Sequence, residues 1–164
     1  MSRLKWQSLW LAVVVMCQGA MAAQNTAQIT VNVTIHASPC EINNNQNIDV
    51  DFGDNIITTD VAKGIVEKEV SYTLDCTNAD QSKTLEMRIS GAETSFDETL
   101  LSTSIPELGI KMKADGNDYP INTDLALANS VSKPVLIAQL VQQPGAHLPT
   151  GGFTAGATMT VDYQ

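Results

Sequence analysis

The sequence predicts an all-β protein built as an antiparallel β-sandwich. Three observations carry this reading. Short segments with the two-residue period of a half-buried strand recur along most of the chain. Turn-forming clusters separate them at short intervals, and no segment carries a sustained helical repeat. The Thr94 to Leu101 stretch has room for a turn or two of helix at most. No tryptophan lies beyond Trp10, so any likeness to immunoglobulins is one of architecture only.

The chain opens on what reads as a secretory signal. Arg3 and Lys5 precede the apolar run Leu9 to Met16, and Ala20-Met21-Ala22 fits the small-x-small cleavage rule. That run is too short to span a bilayer. Cys17 lies inside the signal behind Met16, which is not the small residue that a lipid-acceptor cysteine requires. Cleavage after Ala22 leaves residues 23–164, enough for one domain.

The next segment alternates through Ile29, Val31, Val33 and Ile35, a strand pattern placed just ahead of Cys40. Ile42, Ile48, Val50 and Phe52 surround an Asn-rich stretch, Asn43 to Asn47, that favours a bend. Val66 to Cys76 reads as one strand with Val66, Val70, Tyr72 and Leu74 on one face. Leu85, Met87 and Ile89 form another, closed by Gly91. Leu108, Ile110 and Met112 follow, closed by the turn pair Asp115-Gly116. Ile121 to Leu127 is ambiguous. Val135 to Val141 is continuously apolar but for Gln139, as a buried strand would be. The final strand alternates through Ala155, Ala157, Met159, Val161 and Tyr163, after the loop Pro149 to Gly152. A spare strand in front and an uncovered one behind suit a domain that a neighbour completes.

Composition excludes several functions. The formal net charge is −9, and the signal contains Arg3 and Lys5, so residues 23–164 are more acidic still. Nucleic acid is not an expected partner, because binding its phosphates requires Lys and Arg. In an exported chain Cys40 and Cys76 are expected to form a disulfide. A metal site is the competing reading, and it is weak because neither His36 nor His147 lies at ligand spacing. Asp49-x-Asp51 resembles the start of a calcium loop, but a strand pattern follows it. Neither histidine sits in a nucleophile motif, so no catalytic residue, metal or cofactor is expected.

Taken in order, these features resemble the subunits of chaperone–usher pili, the family of type 1 and P pilus subunits. The likeness rests on the signal, the alternating extension, Ser38-Pro39-Cys40-Glu41-Ile42-Asn43, and Ile48-Asp49-Val50-Asp51-Phe52-Gly53. It rests also on a second cysteine ending a strand, Gly151 fourteenth from the end, and a penultimate Tyr163. The resemblance implies an incomplete immunoglobulin-like antiparallel sandwich, the pilin fold, which lacks its last strand and is completed by donor-strand complementation. It implies a signal peptide at 1–22, a donor extension at 23–37 and a pilin domain at 38–164.

Ile29, Val31, Val33 and Ile35 would then be the donor residues. Gly151, Ala157, Met159, Val161, Tyr163 and Gln164 would form the terminal strand gripped by a periplasmic pilus chaperone. The implied partners are that chaperone, an outer-membrane usher and neighbouring subunits. The implied destination, reached through the periplasm, is a fimbrium on the bacterial surface. One departure stands out: the family usually has glycine seven positions before the first cysteine, where this chain has Val33. The wording around Cys40 and Phe52 is closer to minor or adaptor subunits than to rod subunits. The alternatives are a rod subunit, a terminating subunit or, less well supported, a single-domain carbohydrate-binding tip protein.

Overall fold

The structure, a computed structural model, describes residues 39–128 and 132–164. These build three antiparallel sheets. The largest joins β2 (Glu67–Glu69), β9 (Leu136–Gln142), β6 (Leu108–Ala114) and β5 (Leu101–Ser102) in that order, with β7 (Asn117–Asp118) pairing β6. The second runs in the order β10 (Ala157–Tyr163), β4 (Leu85–Gly91) and β8 (Asp124–Leu127). The smallest pairs β1 (Glu41–Ile42) with β3 (Leu74–Asp75).

Strand periodicity explains the layering. In β4, Leu85, Met87 and Ile89 are buried while Glu86, Arg88 and Ser90 take the other face. In β6, Leu108, Ile110, Met112 and Ala114 turn inward, and Lys111 and Lys113 outward. Leu136, Ala138 and Leu140 of β9 are buried against them. The outer residues Ile137, Gln139 and Val141 are only half-buried, so β9 has one core face rather than two. Its partners fill the outer side with polar chains: Lys111 stands opposite Gln139, and Lys113 opposite Ile137. Asp115 and Gly116 both have positive φ (49° and 82°), as a two-residue hairpin loop requires, and they connect β6 to β7.

Two segments depart from their sequence patterns. The expected strand Val66 to Cys76 is split, because the chain changes partners along it. Val70 N–H donates to the Leu136 carbonyl at 2.9 Å, whereas the Thr73 carbonyl accepts from Asn43 N–H at 2.8 Å. A short helix, α1 (Thr58–Ala62), lies where the sequence offered no helical repeat. At five residues it is too short to show one, and it buries Val61 alone. The Thr94–Leu101 stretch forms turns leading into β5. Ile121 to Leu127 resolves into a turn followed by β8.

The Asn-rich bend holds Asn43, Asn44 and Asn45 all at positive φ (48°, 50° and 57°), a region that asparagine tolerates better than most residues. Side chains satisfy the backbone there: Asn43 Nδ2 donates to the Gln46 and Asn47 carbonyls at 3.2 and 2.9 Å. Just before it, Cys40 and Cys76 form a disulfide, with Sγ atoms 2.07 Å apart. The bridge ties β1 to the end of β3 across a separation of 36 residues.

Candidate functional site

The main concavity is a groove of about 1450 Å³ that runs between two chain segments. Residues 45–54 form one wall and residues 148–162 the other. The floor consists of core side chains from both large sheets, among them Val70, Ile89, Ile110, Met112 and Leu140. The groove is thus floored by the apolar core face of the sandwich.

Each wall reflects its sequence. In the first, Ile48, Val50 and Phe52 are half-buried toward the core, and Asp49 and Asp51 between them are exposed. This segment has strand periodicity but belongs to no sheet among the described residues. The second wall is β10, which pairs β4 from Ala157 opposite Gly91 to Tyr163 opposite Leu85. Among the described residues β10 is one of the two outer strands of its sheet, the other being β8. The Phe52 and Phe153 rings, one from each wall, meet at 6.0 Å with a 51° tilt, so the walls touch at that point.

The structure brings together part of the sequence-derived site. Gly151, Ala157, Met159 and Val161 line the groove, with Val161 fully buried and Met159 half-buried. Gly151 holds φ at +136°, a conformation that side chains disfavour. Tyr163 and Gln164 do not line the groove, and they fasten the strand to residues 80–84. Tyr163 Oη accepts from Asp80 N–H at 2.8 Å, and Lys83 Nζ sits 4.7 Å from its ring centroid. Gln164 N–H donates to the Thr84 carbonyl at 3.0 Å, and Thr84 Oγ1 donates to Gln164 Oε1 at 3.0 Å. Hydrogen bonds from Ser82 Oγ and its backbone N–H hold the Asp80 carboxyl below the usual carboxylate range. Ile29, Val31, Val33 and Ile35 lie outside the described residues.

Sequence reading did not assign the first wall to the site. Its signal was the alternation of Ile48, Val50 and Phe52 with two aspartates, which was legible only as a strand. Among the described residues no three His, Cys, Asp or Glu side chains are placed to hold a metal ion. No helix among them is long and apolar enough to cross a membrane.

The fimbrial protein family model matches residues 21–164. This chain belongs to the fimbrial protein family. Two fimbrial-like proteins of Escherichia coli K12 are similar to it along most of their length. YfcQ is 34% identical over 150 residues, covering 88% of this chain and 92% of its own. YfcR is 34% identical over 150 residues, covering 88% and 85%. The minor fimbrial protein PrsF of E. coli is 26% identical over 161 residues, covering 88% and 92%.

Solved pilus subunits share the fimbrial protein's fold. The P pilus adaptor subunit PapF superposes with a TM-score of 0.56 at 21% identity, covering 80% of this chain and all of PapF. The P pilus rod subunit PapA gives 0.59 at 20% identity, covering 85% and 100%. The fimbrial protein is thus a fimbrial subunit with the incomplete immunoglobulin-like pilin sandwich.

Proposed function

We propose that this protein is a minor, adaptor-type subunit of an adhesive fimbria, joined to its neighbours by donor-strand exchange. The observation that carries this reading is the groove between residues 45–54 and 148–162, apolar along its floor and bordered by the outer strand β10. A strand laid there would complete both the core and the backbone pairing. A periplasmic chaperone would fill it first, pairing along β10 and holding the carboxylate of Gln164. At an outer-membrane usher the extension of the next subunit would take its place.

In turn, residues 23–37 of this chain, freed by removal of the signal at 1–22, would fill the groove of the preceding subunit. Four buried apolar residues such as Ile29, Val31, Val33 and Ile35 would contribute about 1.5–3 kcal/mol each by area. The role is structural, without catalysis. The minor class is favoured by the likeness to PrsF over most of both chains. The PapA superposition supports a rod subunit as the second reading. Quantitative immunogold labelling separates them, since an adaptor marks pilus tips or junctions and a rod subunit marks the shaft.

The experiment that tests strand exchange is a Val31→Asp, Val33→Asp double variant co-expressed with the chaperone. Charge in apolar sockets should leave the chaperone complex intact and prevent joining to the preceding subunit. Normal assembly of this variant would refute the donor role. Co-purification of wild-type yield after deletion of residues 159–164 would refute the role given to β10.

A further inference from the structure

The groove is apolar at its floor and acidic at its rim. Asp49, Asp51, Asp54 and Asp162 all line it, and among the described residues no Lys or Arg does. Their placement follows strand periodicity. Asp49 and Asp51 alternate with the half-buried Ile48, Val50 and Phe52, and exposed Asp162 follows the buried Val161 on the opposite wall. Asp162 also stands opposite Glu86 on β4, which places a second carboxylate behind it. The basic residue of that face, Arg88, is engaged elsewhere, with Nε and an Nη each 2.7 Å from the Asp124 carboxylate. Asp51 Oδ1 accepts from Gly53 N–H at 2.8 Å, which orients the carboxylate without neutralising it.

A strand lying between these walls sends alternate side chains to the floor and the others outward. The outward ones would stand beside Asp49 and Asp51 on one flank and Asp162 on the other, at the spacing where opposite charges across strands attract and like charges repel. We infer that the strand this groove selects comes from a different protein and carries Lys or Arg at its outward-facing positions. Another copy of this chain is a poor match. If Ile29, Val31, Val33 and Ile35 point inward, the outward residues Thr30, Asn32 and Thr34 are neutral, and His36 is the sole ionisable residue in 23–37. Charge at the rim thus sets partner choice and rate of entry, and the apolar floor sets the hold. The inference rests on the strand-accepting reading given above.

Three synthetic peptides covering residues 27–37 test it. One is unchanged, one has Lys at the positions of Thr30, Asn32 and Thr34, and one has Glu there. Their rates of seating in the refolded full-length chain are compared at low and high salt, and again in a D49N/D51N/D162N variant. All three substitution sites are exposed, so the fold does not depend on them. At low salt the Lys peptide is expected to seat about tenfold faster than the unchanged one and the Glu peptide more slowly. High salt and the triple variant should each level the three rates. Equal rates at low salt, or an order that survives the triple substitution, would overturn the inference. Failure of every peptide to seat would overturn the strand-accepting reading together with it.

Discussion

The side chain of Asn122 pairs with the backbone of Gly91 as a strand would. Its Oδ1 accepts from Gly91 N–H and its Nδ2 donates to the Gly91 carbonyl, both at 3.1 Å. The ladder between β4 and β8 extends from Leu85 to Arg88, so this amide supplies a partner just beyond its last pair. Nδ2 also reaches Glu93 Oε1 at 2.7 Å, and the residue itself holds φ at +61°.

Asn122→Ala is therefore expected to destabilise the domain by about 1–3 kcal/mol, from lost hydrogen bonds and a strained backbone. Asn122→Asp removes the donors and sets a carboxylate against the Gly91 carbonyl and Glu93, so it should be at least as damaging. Urea unfolding at fixed protein concentration measures both. A midpoint unchanged in both variants would show that the amide pairing contributes nothing.

Stability should fall in alkali. Tyr119 is buried, its hydroxyl donates to the Met87 carbonyl at 2.7 Å, and burial pushes its pKa up from 10.0 to about 12. Burial raises Tyr72 as well, and its hydroxyl donates to the Pro134 carbonyl at 2.7 Å. Folded pKa values above unfolded ones mean stability that is intact below about pH 10 and lost as pH climbs from there toward 12. For Tyr119 the loss approaches about 2 kcal/mol at the upper end. Melting curves taken from pH 9 upward should show the decline, and Tyr119→Phe, which cannot ionise, should make it shallower.

Stability should also fall in acid, with the opposite sign. Asp75, Asp80 and Asp97 each accept hydrogen bonds from a Thr or Ser two residues on, which holds their carboxyls below the usual 3.8. Folded values below unfolded ones give stability that is present above about pH 4 and lost as pH falls further. All three are solvent-exposed, so each effect is small. Combining Thr77→Val, Ser82→Ala and Thr99→Val should lower stability at neutral pH and flatten its dependence below pH 4, which unfolding midpoints at pH 7 and pH 3 will reveal.

Exported protein alkylated without reduction should show neither Cys40 nor Cys76 modified. Loop closure over 36 residues corresponds to roughly 3–4 kcal/mol of stabilisation. A Cys40→Ser, Cys76→Ser variant should thus unfold at much lower urea. Two alkylated thiols in folded wild-type protein would contradict the bridge.

Legibility followed length and amphipathicity. β4 and β6 each run seven residues with apolar residues at alternate positions, and Leu85, Met87, Ile89, Leu108, Ile110 and Met112 were identified as inward from sequence. In β10, Met159, Val161 and Tyr163 face inward as expected, whereas Ala155 precedes the strand and Ala157 is exposed. The pairing of Cys40 with Cys76 followed from an exported chain with two remaining thiols. The break near Val70 was not legible, because changing sheets leaves alternation intact while replacing the hydrogen-bond partner. α1 escaped notice because five residues span little more than one turn. In the site, Met159 and Val161 were legible as wall residues because the strand alternates. The opposite wall was not, since Ile48, Val50 and Phe52 carry the same pattern whether or not a sheet claims them. Ladder partners are non-local, and single segments do not encode them.

The tether between Thr84 and Gln164 joins residues 80 positions apart, and β10 runs alongside β4 just beyond it. Since a chain emerges from the ribosome in sequence order, β4 spends the whole intervening interval without its outer neighbour. Long-range pairing of this kind is also slow once all its residues have arrived. The time between the two arrivals is a window of exposure. The hazard it creates, a bare apolar edge meeting the same edge on another nascent chain, grows with the rate of synthesis. Slowing production should therefore raise the yield of folded subunit even where nothing in its final contacts has changed.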